Sequence, residues 1–354
     1  MKALIGKMGD VSRRDFVTQA ARAFLGVGLL PMSLDSRLFA AATGAGAIAA
    51  KAATGRAKHV IYLYMNGGMS HLDTFDTKPG AQVQGPVESI GTNVGGIQFS
   101  EHMARTAKHM DKLAVIRSMH STQGAHQQGQ YLMHTGYILR GTIRHPTLGS
   151  WVMKLGGKIN NTLPGNVIIG GGSNAIGAGF MEAKYAPLAI GKAGLPNSRR
   201  PGGVTQNKFD KRLEMADMID RSFERRYDQK QVRAYKDMYK DAIRLMNSKD
   251  LEVFDINKEP RPVRTAYGES AFGQGCLLAR RLVQQGVRFV EVNHDGWDTH
   301  QDNFDRVRGL AQTLDQGLGA LMADLATQGL LDHEGRRLGV GPAGPGGDRG
   351  GPAR

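Results

Sequence analysis

The sequence predicts an α/β fold with a mostly parallel sheet flanked by helices, and three observations support this prediction. Short apolar runs recur along the body of the chain, and each ends in glycine or polar residues. Segments with apolar residues spaced by three and four lie between these runs, as in amphipathic helices. Clusters rich in Asp and His follow three of the four runs. Continuous apolar runs are typical of parallel strands, because helices bury both faces of such a sheet.

Four segments carry the strand pattern. They are KHVIYLYMNGG at 58–68, DKLAVIRSMHS at 111–121, GNVIIGGG at 165–172 and GVRFVEVNHDG at 286–296. Each has a short apolar core that runs into a turn or a polar cluster.

The predicted helices alternate with these strands. A short amphipathic helix lies within 145–156, two charged helices within 208–248, and an apolar helix over 270–286. The last helix, at 303–329, spaces its leucines by three or four and stops at Gly329. Glycine also follows the 270–286 helix, at Gly286, where it suits a C-terminal cap.

The first 50 residues resemble an export leader with a small-residue linker. Ser12, Arg13, Arg14, Asp15 and Phe16 match the twin-arginine pattern, and a short apolar stretch follows them. An amphipathic N-terminal helix is the alternative interpretation. The leader predicts a partnership with the twin-arginine export machinery and a periplasmic or secreted protein that folds before it crosses the membrane. After the leader no stretch reaches 18 apolar residues, so we expect no transmembrane segment in the mature chain.

Composition excludes several classes of site. The net charge is +14, but both ends of the chain hold part of it, and the body lacks a basic stripe interleaved with aromatics. We therefore expect no nucleic acid partner. The chain has one cysteine, Cys276, so it can form neither an intramolecular disulfide nor a thiolate cluster. Its apolar helical setting predicts a buried thiol.

The stretch HDGWDTHQDNF at 294–304 is the strongest candidate for a metal site. Asp298 and His300 are two residues apart, so in an extended segment their side chains point the same way. Asp295 is near enough to join them from a turn. Oxygen and imidazole ligands suit a divalent cation such as Zn, Ca or Mg. The alternative is that these side chains satisfy loop backbone groups. Trp297 is expected to pack as a lid on the cluster rather than to bind a substrate ring.

Two other clusters have similar chemistry. His71 and Asp73 repeat the i, i+2 relation after the first strand, and His120 and His126 flank STQGA after the second. Because parallel strands deliver their carboxyl ends to one edge, we expect the three clusters to converge there. His145, directly before a proline, is predicted to have a structural role.

Longer motifs resemble a known family. NGGMSHLDTFDTKPG, HPTLGSWVMKLGG, FDINKEPRPVRTAYGESAFGQGCLLARRLVQQGVRFVEV and GWDTHQDNF are similar to DUF1501, a family of exported bacterial proteins placed in the alkaline phosphatase/sulfatase-like superfamily. The resembling domain covers residues 57–333. The resemblance implies an alkaline phosphatase-like fold and metal-dependent hydrolysis of phosphate or sulfate esters.

The resemblance also implies site residues. Asp298 and His300 resemble the later ligand pair of the superfamily, and Asp73 and Asp76 are candidates for its first acidic ligand.

The chain departs from the superfamily pattern at two places. Residues 66–68, Asn-Gly-Gly, stand where sulfatases have an acidic pair, and His126 stands at the position of their modified Cys or Ser. Formylglycine cannot form from histidine, so Ser121 or Thr122 becomes the candidate nucleophile.

The end of the chain departs as well. Residues 335–354 hold eight glycines, three prolines and four arginines, a composition that predicts a disordered tail without a core strand. The family continues there with further ligands, so we expect a domain that is incomplete at its C-terminus.

Two functions remain open at this point. The first is an exported, metal-dependent hydrolase that acts on a small-molecule or polysaccharide ester. The second is a non-catalytic periplasmic binding or assembly protein that retains the fold. A redox role is disfavoured, because the chain lacks cysteine ligands and cofactor loops.

Overall fold

The computed structural model describes residues 57–171, 176–191, 195, 202–226, 230–331 and 338–340. The predicted leader at 1–50 and most of the predicted tail at 335–354 lie outside these residues. The chain divides into two compact units, Met1–Lys58 and His59–Arg354, and the helices and strands described below belong to the second.

Eight strands are found in the described part of the chain. In chain order they are β1 (Val60–Met65), β2 (Ser89–Gly91), β3 (Gln98–Ser100), β4 (Leu113–Val115), β5 (Asn166–Ile169), β6 (Leu188–Ile190), β7 (Phe289–His294) and β8 (Leu338–Val340). The main sheet has the order β1-β7-β5-β6, and all of its strands are parallel. This arrangement confirms the predicted mostly parallel α/β fold.

Seven α-helices accompany these strands in the described ranges. They are α1 (His126–Thr135), α2 (Leu148–Gly156), α3 (Gln206–Arg226), α4 (Lys230–Met246), α5 (Arg261–Tyr267), α6 (Ala271–Gln284) and α7 (Asn303–Thr327). None of those helices combines the length and the apolar character needed to cross a membrane. The predicted helices correspond to α2, α3, α4, α6 and α7, whereas the sequence patterns missed α1 and α5.

Side chains that alternate along β7 assign the helices to two faces of the sheet. Glu291 accepts a hydrogen bond from His134 of α1, so α1 covers one face. On the same face, a Cβ added to Gly149 of α2 would lie 2.7 Å from the Phe289 ring. On the opposite face, His294 stacks on Phe272 of α6 at 4.6 Å between ring centroids. Helix α7 packs against α6, so the sheet lies between two helical layers.

The second predicted strand forms, but outside the main sheet. β4 pairs in parallel with β8, with Leu113 opposite Leu338 and Val115 opposite Val340. The tail at 335–354 was expected to be disordered and to contain no core strand; Leu338–Val340 forms a short strand there, and this strand lies outside the main sheet. Ladder hydrogen bonds use backbone groups, so a short segment can pair even in a glycine-rich context. A second small sheet, the antiparallel pair β2 and β3, was not predicted.

Candidate metal centre

Backbone hydrogen bonds join the end of β1 to the end of β7 and to the loop that follows it, next to the candidate site. The Asn66 amide donates to the His294 carbonyl at 2.9 Å, and the Trp297 amide donates to the Asn66 carbonyl at 3.2 Å. Gly67 has φ +116°, and a Cβ there would lie 2.4 Å from the Asp298 backbone nitrogen. The glycine thus lets the loop after β7 cross very close to the end of β1.

This loop presents Asp298 between two imidazoles. Asp298 Oδ1 lies 2.8 Å from His300 Nε2, and Asp298 Oδ2 lies 3.3 Å from His126 Nε2. The ligand atoms of these three residues all lie within 4.8 Å of one another. The three side chains are exposed, at 67% for His126, 42% for Asp298 and 79% for His300, so an ion and a substrate can reach them. We call this group the His-Asp-His cluster.

Helix α1 brings His126 to the cluster from another part of the chain. His126 is the first residue of α1, and Gln130, one turn later, donates from Nε2 to Asn66 Oδ1 at 2.8 Å. Asn66 Nδ2 in turn donates to Asp295 Oδ1 at 3.0 Å. One asparagine side chain therefore links α1 to both strand ends.

Asp295 lies outside the cluster, although the sequence placed it among the candidate ligands. Its carboxylate accepts from Asn66, as described above, and also borders a cavity on the α6 side of the sheet. Its structural contacts are those of a residue that fixes the β7 turn.

The two candidates after β1 also lie apart from the cluster. Asp73 is buried, and its Oδ2 accepts from Asn303 Nδ2 at 3.5 Å. Asp73 Oδ1 has no hydrogen-bond partner among the described residues. Asp76 is buried too and pairs with Lys78 at 2.6 Å and Arg117 at 3.5 Å. The structure therefore brings together His126, Asp298 and His300 but not the acidic residues of the first loop.

The two candidate nucleophiles bond within their own loop. Ser121 Oγ accepts from the Gln123 amide at 3.0 Å, and Thr122 Oγ1 accepts from Gln123 Nε2 at 3.1 Å. Both residues are exposed. Their hydroxyls are thus held by Gln123 and are not directed at His126 by a hydrogen bond.

Two histidines next to this site received no role in the sequence interpretation, the largely buried His134 and the buried His294. His134 of α1 lies between Glu291 Oε1, at 3.0 Å from Nε2, and the Gln130 carbonyl, at 2.7 Å from Nδ1. Burial lowers the pKa of His134, but the hydrogen bond to Glu291 and the charge of that carboxylate outweigh burial, so the pKa lies above its ordinary value. A glutamate inside the apolar strand FVEV was the sequence signal for this pair.

The pKa of His294, at the end of β7, is shifted in the opposite direction. Its ring stacks on Phe272 and meets Trp297 edge to face at 5.3 Å between centroids. Burial lowers the pKa of His294 to about 4, against the weaker influence of the Asp295 charge. The buried Trp297, which is 1% exposed, covers this imidazole, whereas the sequence predicted that it covers the acidic cluster.

Two other sequence interpretations concern single residues. Cys276 is fully buried on α6, and burial raises the pKa of its thiol, as expected for a core residue. His145 stacks on Tyr137 at 4.1 Å between centroids, and its Nδ1 bonds to the Tyr131 hydroxyl at 2.8 Å. These contacts fit the structural role predicted for His145.

Residues 57–333 match the family described as "Protein of unknown function (DUF1501)". The chain belongs to the DUF1501 family. Searches of curated proteins and of solved structures gave no match. The match to DUF1501 covers every residue of the His-Asp-His cluster and the strand ends that position it.

The donor set of this DUF1501 cluster fits a divalent metal ion. Two imidazole nitrogens and one carboxylate oxygen form a common three-ligand set, and such sets leave further positions for water or substrate. The exposure of the three side chains provides the space for those positions. Nitrogen-rich ligands favour Zn over Ca or Mg, which prefer oxygen ligands.

Proposed function

We propose that this protein is an exported metal-dependent hydrolase of phosphate or sulfate esters, with its metal held by His126, Asp298 and His300. The observation that carries the proposal is the convergence of these three side chains from α1 and from the loop after β7. The parallel sheet supports it, since reactive groups of such folds gather beyond the carboxyl ends of the strands.

The residues of the chain have separate roles in this proposal. The two imidazoles and the carboxylate hold the ion, and Asn66 and Gly67 fix the loop that carries Asp298. When bound, a divalent ion supplies a Lewis acid that polarises the ester and lowers the pKa of water. The N–H groups in the first turn of α1 have no partner within the helix, and their dipole favours an anionic ester beside His126.

The substrate and the location follow from other features. The exposed position of the cluster suits an ester group carried by a small molecule or by a polysaccharide. The twin-arginine pattern at Arg13 and Arg14 supports export through that route to the periplasm or beyond. The resemblance to the alkaline phosphatase/sulfatase-like superfamily supports ester hydrolysis as the reaction class.

Metal binding is the first test of the proposal. The metal-stripped protein is titrated with Zn²⁺, Mn²⁺, Mg²⁺ and Ca²⁺ by calorimetry, and bound metal is counted by elemental analysis. We expect one tightly bound ion, with Zn²⁺ favoured, and at least about a tenfold loss of affinity in His300→Ala and Asp298→Ala. His71→Ala is the matched control, because His71 is an exposed histidine outside the cluster. A wild-type protein that retains none of these ions would sink the proposal.

Hydrolysis is the second test. The metal-loaded protein is assayed with 4-nitrophenyl phosphate and 4-nitrophenyl sulfate, alongside His126→Ala and His71→Ala. We expect turnover of one ester that His126→Ala abolishes and His71→Ala preserves.

The second candidate function is that of a non-catalytic binding or assembly protein. It is favoured because the hydroxyls of the two candidate nucleophiles, Ser121 and Thr122, bond to Gln123. A binding or assembly protein needs the metal only to order its loops. Such a protein would bind the ion and lose it in His300→Ala, yet hydrolyse neither ester. The two assays therefore separate the candidates.

A further inference from the structure

A cavity of about 1200 Å³ opens at the carboxyl edge of the sheet, apart from the His-Asp-His cluster. Gly170 follows β5 and Gly191 follows β6. Asn293 and His294 end β7, and Asp295 follows it. All five residues line this cavity. Its volume exceeds that of most pockets that bury small organic ligands.

The topology explains why the cavity lies at this place. The chain leaving β5 passes over the α2 face, where Asn166 Nδ2 donates to the Tyr185 carbonyl at 3.3 Å. The chain leaving β7 continues into α7, which packs with α6 on the opposite face. Neighbouring strands whose connections leave in opposite directions create a crevice between their ends. The cavity lies in the crevice between β5 and β7.

The walls are rich in uncharged groups that both donate and accept hydrogen bonds. Four amide side chains and three hydroxyls are in this set: Asn247, Asn257, Gln274, Asn293, Ser248, Ser270 and Thr313. Amides and hydroxyls pair equally well with ligand donors and acceptors. This lining favours a ligand that carries several hydroxyl groups.

The positive and negative charges of the residues that line the cavity nearly cancel. Lys249 and Lys258 lie among three carboxylates, and Lys258 forms an ion pair with one of them, Glu252. Asp255 Oδ1 accepts from the Asn257 amide at 3.1 Å. Asp295 Oδ1 accepts from Asn66. The cavity therefore offers no strong net field to attract an anion or a cation.

An apolar and aromatic wall completes the cavity. Phe272 and Phe254 lie in it, and His294 is stacked on Phe272. His294 Nδ1 is buried and has no hydrogen-bond partner in the described part of the chain. An imidazole beside an aromatic wall can bond a hydroxyl while the wall packs against C–H groups. A sugar ring has both features, hydroxyls at its edge and C–H groups on its faces.

We propose that this cavity binds a neutral saccharide unit, with the amides contacting its hydroxyls and the Phe272–His294 wall packing against its apolar face. The site uses residues distinct from the His-Asp-His cluster. The proposal therefore stands whether or not that cluster holds a metal.

The test is calorimetric titration of the full chain with two neutral disaccharides, cellobiose and maltose, before and after metal stripping. Cellobiuronic acid and the diamine chitobiose serve as anionic and cationic comparators. We expect saturable binding of at least one neutral sugar, unchanged by metal stripping, and weaker binding of both charged sugars.

Gly191→Phe is the blocking variant, because a Cβ at Gly191 meets nothing within 4 Å and a larger side chain can grow into the cavity. We expect it to weaken sugar binding at least about tenfold. Gly191→Leu fills less of the space and is the second variant if the first unfolds. Gly141→Phe is the control, since Gly141 also meets nothing within 4 Å and does not line the cavity.

Three results would overturn the proposal. They are no binding of either neutral sugar to the wild type, tighter binding of a charged comparator, and wild-type affinity in folded Gly191→Phe and Gly191→Leu. His300→Ala is titrated in parallel. It should bind sugar normally while losing metal, so failure of the metal site and failure of the cavity are distinguishable.

Discussion

At the scale of single residues, Asn66 and Gly67 hold the loop that carries Asp298 against the end of β1. The Asn66 side chain accepts from Gln130 through Oδ1 and donates to Asp295 through Nδ2, so both polar atoms of its amide join elements of the site. An acidic side chain at this position could not donate to Asp295. Asn66 therefore acts as a connector between α1, the end of β1 and the turn after β7.

Gly67→Ala should damage both the fold and the metal site. Its φ of +116° strains any other residue, and the added Cβ would lie 2.4 Å from the Asp298 nitrogen. We expect a loss of about 2 kcal/mol or more in the free energy of unfolding, measured by chemical denaturation. Weaker metal binding should accompany it, because the Asp298 loop must move away.

Gly80→Ala is the matched control for this change. Gly80 also has a positive φ, +78°, but a Cβ there meets nothing within 4 Å. Gly80→Ala should lower the free energy of unfolding by about 1 kcal/mol through backbone strain and leave metal affinity unchanged. Equal effects of the two substitutions on metal affinity would show that close approach at Gly67 does not position Asp298.

At the scale of elements, one buried ion pair joins α1 to β7. His134 and Glu291 are nearly inaccessible, with 11% and 5% of their side chains exposed, and Tyr64 packs 4.4 Å from the imidazole centroid. Both imidazole nitrogens face acceptors, which only the protonated ring can satisfy with two donors. The helix that presents His126 is thereby held to the strand that precedes Asp298.

This pair predicts a dependence of stability on pH. The folded-state pKa of His134 is raised, so its contribution is fully present below the unfolded value of about 6.5 and is lost as pH rises through the folded pKa. The unfolding free energy of the wild type should therefore fall across that window relative to His134→Gln. Denaturation at a series of pH values measures the difference.

The variant should also be less stable at low pH, where the pair is intact in the wild type. Removing one partner of a buried pair costs about 3 kcal/mol. His120→Gln, at an exposed histidine, is the control and should follow the wild type at every pH. A wild type and a His134→Gln protein with parallel pH profiles would contradict the protonated assignment.

At the scale of the whole molecule, the sequence predicted the sheet better than the helices around the site. Apolar runs identified β1, β5 and β7, because strands buried on both faces need them. The same logic predicted that the three clusters rich in Asp and His meet at the carboxyl edge, and of these residues His126, Asp298 and His300 come together. Helix α1 was missed because its sequence, HQQGQYLMHT, has little apolar periodicity and its N-cap, Ala125, makes no side-chain cap.

The two acidic candidates of the first loop lie away from the His-Asp-His cluster for one physical reason. Asp73 and Asp76 follow a strand, as ligands do, yet one contacts Asn303 and the other Lys78 and Arg117. A carboxylate in a loop serves equally well as a ligand or as a partner for local donors. Only the three-dimensional path of the loop decides between these roles, and no local spacing encodes that path.

The proposed leader predicts that the folded protein is exported to the periplasm or beyond. Arg13 and Arg14 match the twin-arginine pattern, and under the proposed export route the export machinery reads their guanidinium groups. Lysine keeps the charge but lacks the planar fork of donors, so the double substitution of Arg13→Lys and Arg14→Lys should abolish export. Arg22→Lys, in the same leader but outside the pair, should be exported like the wild type. Fractionation of a bacterial host with an active twin-arginine route measures the periplasmic share. Equal periplasmic shares for the double variant and the wild type would contradict this route.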